Sequence, residues 1–350
     1  AGYTGGPAWP RLATLAVSFG AIAGLLIIIG ALEAFRRARW FFWFSLIAFI
    51  FAGPFFVWIT NLNLATAPSA LFVLQRFFLL SQIVLASLVA FGVVALARFV
   101  TSSIAVTDLT ALRIVGATCL AAIVISVATN YRRIDQSRNS IARQFGEDVF
   151  NNAPPNSILL ATGDGLAFPL MYLQKVEHFG HDTTLVVIPL LLGEWHVRQL
   201  RQEHPELVIP FDHYDPQKNN LKTFVAANES RTVVIAGTAG DDHSLEADYW
   251  PYQQGLLIVA QPKTRDVPLD VVLAQNEQLL DRCHPPSASA IRTNTFEADI
   301  LNIYAYPPFN IGGICERAGL KTEARTWYQR TLRINPKFSK AREALARLEH

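Results

Sequence analysis

Apolar positions along this chain are massed in its first third. Four uncharged stretches, residues 12–32, 40–60, 77–97 and 114–131, each approach the roughly 20 apolar residues that a helix needs to cross a bilayer core. Residues 40–75 form one uncharged run, and the polar sequence NLNLATAPS at 61–69 divides it. An unpaired backbone group is too costly in lipid, so these runs predict transmembrane helices. The first is not a signal peptide, because three more spans follow it. Pro54, after Gly53, predicts a kink inside the second span. Trp40, Trp43 and Trp58 lie near the ends of that span, as interfacial anchors do.

From about residue 139 the pattern changes. SIARQFGEDVFNNAPP predicts a helix ended by two prolines. Short apolar runs of strand length follow at 157–162, 184–189, 232–237 and 256–260. Helical spacing lies between them at 168–179 and 195–203. Strands alternating with helices predict an α/β domain with a mostly parallel sheet, covered on both faces. At the end, Gly312, Ala324, Tyr328 and Pro336 sit at the spacing of a tetratricopeptide repeat, with residues 339–348 as a capping helix. One repeat is too few to stand alone, so this hairpin must lean on the α/β domain or on a partner. The expected division is a membrane region over 1–131, an extracytoplasmic α/β domain over 132–305, and a helical repeat over 306–350.

Composition sharpens this picture. The chain is 51% hydrophobic and only 17% charged, where a soluble domain carries about 25%. Only nine charges fall in residues 1–131, and that part is net +5 against −3 for the rest. A single soluble domain and a disordered chain are excluded. Nucleic acid is not an expected partner, because the polar part is mildly acidic and has no basic stripe. The sequence does not open on methionine, so an N-terminal piece was removed or the sequence is partial. Three cysteines, Cys119, Cys283 and Cys315, make no disulfide framework and read as free thiols; a Cys283–Cys315 pair in an oxidising compartment is the alternative.

Loop charge sets the expected orientation. Arg36, Arg37 and Arg39 lie between spans 1 and 2, and Arg98 and Arg113 between spans 3 and 4. The loop between spans 2 and 3 has no charge. Both termini, and residues 132–350, are therefore expected outside the cytoplasm of a bacterial inner membrane. YRRIDQSR after span 4 opposes this, but long domains translocate largely regardless of charge.

Candidate chemistry is sparse. Arg76 is either an interfacial arginine that snorkels to headgroups or a contact to the phosphate of a lipid-linked substrate. Asp164 follows an apolar strand between two glycines. It is either a ligand at the strand's C-terminal end or a cap of the next helix. Asp241, Asp242 and His243 form an acidic cluster that could ligate metal or be a solvated turn. His178 and His181 flank Gly180 as a surface turn, and His196 has a structural role. Asp135 is the nearest acid to the outer membrane face, and Arg132 and Arg133 should lower its pKa. No phosphate-cradling glycine loop and no nucleophile triad is evident. No catalytic residue, metal or cofactor is assigned.

The stretch SILLATGDGLAFPLMYLQKVEHFGHDTTLVVIPLLLGEWHVRQLR, with GPFFVWITNLNL and VLQRFFLL in the spans, resembles a bacterial membrane-protein family. That family is similar to the transmembrane protein O-mannosyltransferases of GT-C type and ends in a tetratricopeptide repeat. The resemblance implies a polyprenyl-phosphate sugar donor and a catalytic acid in the first extracytoplasmic loop. Residues 1–10, ahead of the first span, carry no acid, so the resemblance is to the C-terminal half. After Asp164 this chain has Gly165, Leu166 and Ala167 where relatives carry polar residues, and Gln75 stands where an acid precedes the arginine.

Two functions are expected from these readings. One is a non-catalytic accessory or scaffold subunit of a larger membrane assembly. Its partners would be the lipid bilayer and other membrane subunits, met through the Phe/Trp-rich spans and the repeat. The other is the C-terminal module of a polyprenyl-phosphate-sugar-dependent protein O-glycosyltransferase whose catalytic N-terminal half is missing from this chain.

Overall fold

A computed structural model describes residues 9–60, 70–103, 107–218, 220–237, 244–265, 267–291 and 295–349. The chain divides into two compact units, Ala1–Arg138 and Asn139–His350.

The first unit is helical: α1 (Trp9–Arg37), α2 (Arg39–Ile50), α3 (Phe56–Thr60), α4 (Ala70–Ser103) and α5 (Asp108–Ile134). Helix covers each of the four apolar stretches. Between α2 and α3 the chain passes through a π-helical turn, Phe51–Phe55, which contains Pro54. The wider turn absorbs the donor that proline lacks, and this is the form the expected kink takes. Among the described residues two helices are long and apolar enough to cross a membrane, Arg39–Ile59 and Phe78–Ser103. Helix α1 is broken at Gly20, with φ +69°, and the apolar part of α5, Leu109–Ile125, is shorter.

Small residues set how closely these helices pack. A Cβ on Gly30 would lie 1.8 Å from the Leu88 carbonyl oxygen, and one on Gly92 would lie 2.2 Å from that of Leu26. The α1 and α4 backbones therefore touch, as lipid-embedded helices do at small-residue seams. Glu33 pairs with both Arg37 and Arg98. This places the C-terminal ends of α1 and α4, which carry Arg36, Arg37 and Arg98, at the same end of the unit. Leu25, Ile28, Trp40, Phe44, Trp58 and Ile83 point outward and are exposed, a surface that suits lipid rather than water.

The second unit opens with α6 (Ile141–Asn152), then β1 (Ile158–Ala161), α7 (Asp164–Lys175) and β2 (Thr184–Val187). It continues with α8 (Glu194–Glu203), α9 (Asn220–Ala227), β3 (Val233–Ala236), β4 (Tyr249–Gln254) and β5 (Leu257–Pro262). It ends with α10 (Leu269–Asp281), α11 (Phe296–Arg317), α12 (Lys321–Ile334) and α13 (Ser339–Glu349). The strand order is β2-β1-β3-β5-β4. Strand β1 pairs in parallel with β2 and β3, but β5 runs antiparallel to both β3 and β4. The sheet is thus mixed, which corrects the expected mostly parallel one. The cause is a hairpin: β4 and β5 join through a tight turn with Gly255 at φ +57°, a conformation glycine adopts at no steric cost.

Side chains alternate across the sheet as strand pleating requires. Leu159, Ala161, Val187 and Val234 enter one core, with Phe145, Leu170, Tyr304 and Tyr328. Ile158, Leu160, Val186 and Ile235 enter the other, with Val197, Leu221 and Phe224. Helices therefore cover both faces. The C-terminal helices share the first of these cores, so they rest on the α/β sheet. The Gly312 Cβ position is 2.6 Å from the Tyr328 ring, and Ala324, Ala341 and Ala344 are fully buried. Helix α11 is continuous through Pro307 and Pro308 and runs across the boundary expected at 305/306.

Candidate functional site

Strand β1 lies between β2 and β3, and the chain leaves it first toward β2 and later returns to β3. The C-terminal edge shared by β1 and β3 is therefore a topological switch point, the usual ligand position in open α/β sheets. Thr162 and Gly163 extend β1 there, and Gly237 extends β3. A Cβ on Gly237 would lie 3.1 Å from Thr162 Oγ1, so the two strand ends approach closely. Gly163, at φ +83°, is the N-cap of α7. Asp164 is then the first helical residue, one position past the cap that the sequence suggested. It is exposed, and its charge in the first turn favours the helix dipole by roughly 0.3–1 kcal/mol. Asp241, Asp242 and His243, on the segment that follows β3, lie outside the described residues.

Arg76 is on α4, near its N-terminal end; its side chain lies outside the described residues, as do those of Arg11, Arg132 and Arg133. Asp135 follows α5 and accepts from the Ser137 amide at 2.9 Å. Hydrogen bonds from the Ser137 side chain and backbone hold its carboxyl below the usual value. Arg132 and Arg133, which the sequence offered as the cause, have side chains outside the described residues. His178 and His181 form the expected surface turn, with rings stacked 5.5 Å apart. His196 is half-buried on α8, and burial pushes its pKa down. All three cysteines are free. Burial pushes the Cys283 thiol up to about 12, so it is unreactive at neutral pH.

The polar centre that sequence reading missed is Asp148. Its carboxylate is 2% exposed and accepts from the Tyr304 hydroxyl at 2.7 Å and the His284 amide at 2.6 Å. It also lies 3.1 Å from His284 Nδ1 and 3.3 Å from Gln144 Nε2. Nearby, Asn152 Oδ1 accepts from the Leu256 amide and Asn276 Oδ1 from the Gly255 amide. These amides belong to the β4–β5 turn, and the two asparagines fix it from α6 and α10. The partners are 104 to 156 residues from Asp148 or Asn152 in most of these bonds, a separation no local pattern reveals.

Comparison with known proteins locates the chain. Residues 142–273 match the family model described as TMEM260-associated domain 2. The chain is 28% identical over 210 residues to protein O-mannosyl-transferase TMEM260 of Mus musculus, covering 57% of this chain and 29% of that protein. It is 26% identical over 271 residues to protein O-mannosyl-transferase tmem260 of Dictyostelium discoideum, covering 71% of this chain and 33% of that protein. The second match covers more of the chain than Asn139–His350 alone can supply, so it reaches into the helical unit. The chain spans about a third of the length of these relatives. No solved structure matches. The chain is thus similar to the O-mannosyltransferase-like family that its residues 157–201 suggested.

Proposed function

We propose that this glycosyltransferase-related membrane protein is a non-catalytic accessory or scaffold subunit that holds a larger membrane assembly together. The observation that carries the reading is how the second unit uses its polar and apolar groups. Asp148, Asn152, Asn228 and Asn276 are buried and bonded to main chain and neighbouring side chains. Outward, Phe168 and Tyr172 of α7 and Val176, its C-cap, form one row at helical spacing, each more than half exposed. An exposed apolar row of this kind marks a contact surface. The polar chemistry serves the fold, and the surface is free to bind. Purification from the native membrane, with identification of what copurifies, tests this. A stable stoichiometric complex weakened by Phe168→Asp is expected; a chain that purifies alone overturns it.

In this reading all four apolar helices span a bacterial inner membrane, and residues 132–350 lie outside the cytoplasm. The Glu33–Arg98 pair supports the orientation, because it brings the arginine-bearing C-terminal ends of α1 and α4 together at one end of the helical unit. The C-terminal helices act as a tetratricopeptide-like hairpin, with Tyr328 filling the groove against Gly312. A cysteine introduced at the exposed Ser287 should react with an impermeant thiol reagent while the inner membrane is intact. Labelling only after lysis would invert the topology.

The second reading is favoured by the relatives' names, both protein O-mannosyl-transferases. In it the chain is the C-terminal module of a polyprenyl-phosphate-sugar-dependent O-glycosyltransferase. Arg76 would touch the donor phosphate, and Asp164 a ligand at the switch point. The assay offers polyprenyl-phosphate sugars and acceptor proteins to the purified chain, read by intact mass. No transfer by the chain alone is expected in either reading; transfer above a no-protein control, lost on Asp135→Asn, would overturn the non-catalytic reading and make this chain an enzyme in its own right.

A further inference from the structure

At the opposite end of the strands from Asp164 lies a cleft of about 580 Å³. Its floor is Arg231, which precedes β3 and whose side chain is only 10% exposed. Arg231 Nε donates to the Asn156 carbonyl at 2.9 Å. Nη2 donates to the Ser157 carbonyl at 3.2 Å and to Thr184 Oγ1 at 2.7 Å. Nη1 is buried and has no hydrogen-bond partner. A buried donor without a hydrogen bond is costly, and more so in a charged group, so a guanidinium nitrogen beneath the cleft with only a distant carboxylate beside it, Glu206 at 3.8 Å, calls for a ligand.

Cationic and N–H groups converge on the cleft from other elements. Lys175 comes from the end of α7, His178 and His181 from the loop after it, and His204 from the end of α8. His178 adopts φ +55°, a left-handed conformation that strains a non-glycine residue. That turn holds the two imidazoles stacked at the cleft wall. Acids are present too. Glu203 pairs with Lys175 at 2.9 Å, and Asp182 is on the lining. Glu206 is 3.3 Å from His204 Nδ1 and 3.8 Å from Arg231 Nη1. The Glu206 side chain is 55% exposed, so it can swing away. Its carboxylate stands near where a ligand oxyanion would meet Nη1 without closing the hydrogen bond.

We infer that this cleft is a binding site for a phosphate group, which displaces Glu206 and pairs with Arg231 Nη1 and the histidines. A phosphate fits better than a carboxylate. Protein carbonyls and Thr184 already occupy the Nε/Nη2 edge of the guanidinium, so the planar two-point grip on a carboxylate along that edge is closed. The donors that remain are single and arrive from several directions, which suits a tetrahedral anion. The phosphate could be free, carried on a sugar, or part of a lipid headgroup.

The test is equilibrium dialysis of labelled inorganic phosphate against the detergent-solubilised full chain. Saturable binding to one site is expected. Glu206→Gln should tighten it at least threefold, by removing the competing carboxylate. The double variant His178→Asn, His181→Gln should weaken it at least fivefold. Both side chains are exposed, and asparagine tolerates the left-handed backbone, so this variant will fold where an Arg231 variant could fail. No saturable binding to the wild type or to Glu206→Gln overturns the site, as does binding that the double variant leaves unchanged. Competition by a sugar 1-phosphate or by a soluble short-chain phosphatidate then separates the sources. Displacement by neither leaves inorganic phosphate itself as the ligand.

Discussion

The Tyr304 hydroxyl donates to the Asp148 carboxylate at 2.7 Å, tying the first helix of the second unit to α11. Burial, and then the bond to Asp148, push the Tyr304 phenol far above its ordinary value. The hydroxyl therefore stays protonated and available as a donor. Tyr304→Phe keeps the ring that packs edge-on to Phe145 but removes the bond. It should cost about 1–3 kcal/mol, because a buried charged acceptor loses a partner. Urea unfolding of the second unit, followed by tryptophan fluorescence, measures this. An unchanged midpoint would show that His284 and Gln144 satisfy the carboxylate without the phenol.

Tyr328 fills the space opposite Gly312 and donates to Glu316 at 2.6 Å. Tyr328→Ala should destabilise the C-terminal hairpin by about 3–5 kcal/mol, as aromatic truncations in packed cores do. Limited proteolysis should then cut within residues 310–350 first. Equal protection in wild type and variant would refute the packing role given to Tyr328.

His196 carries a pH dependence. Burial, partly opposed by Gln199, lowers its pKa from the ordinary 6.5. The unfolded chain then binds the proton more tightly than the folded one. By linkage, this contribution to stability is fully present above about 6.5 and is lost as pH falls through the folded-state value. Thermal unfolding between pH 7.5 and 5 should fall more steeply for the wild type than for His196→Gln. Parallel curves would place the acid sensitivity elsewhere.

The Gly30–Gly92 seam allows no substitution by a side chain of any size. A Cβ at either position would meet the backbone of the facing helix, not a movable side-chain tip. Gly92→Ile should separate α1 from α4 and lower the detergent-solubilised melting temperature by several degrees. Gly116→Ile, where a Cβ meets nothing within 4 Å, is the control. A seam variant as stable as this control would mean that the helices do not pack through these glycines.

Much of the second unit was legible in the sequence. The strands β1, β2, β3 and β5 lie within a few residues of the apolar runs that predicted them. Strand β4 was not legible. Its sequence, YWPYQQ, shows no clean alternation, and Pro251 argues against a strand interior. Without it, the β3-to-β5 reversal could not be foreseen. Helix α11 was obscured in a similar way, since Pro307 and Pro308 suggest an end. The chain instead gives up two helical bonds and buries both prolines. Asp164 stood out because it follows an apolar strand directly. Asp148 did not, although it is the more deeply built acid, because Tyr304 and His284 reach it from far along the chain.

The two outer strands of the sheet decide how a neighbour can attach. One margin is β2, only four residues long. The other is β4, where Pro251 lacks an amide hydrogen and Lys263 lies over the Trp250 ring at 4.6 Å. A short margin and one interrupted by proline with a charge beside it both discourage the addition of foreign strands. Crowded membrane surfaces expose every sheet to such capture. This protein can therefore present an apolar helical row to neighbours and still resist being drawn into open-ended polymers, because its main chain offers no long template to copy.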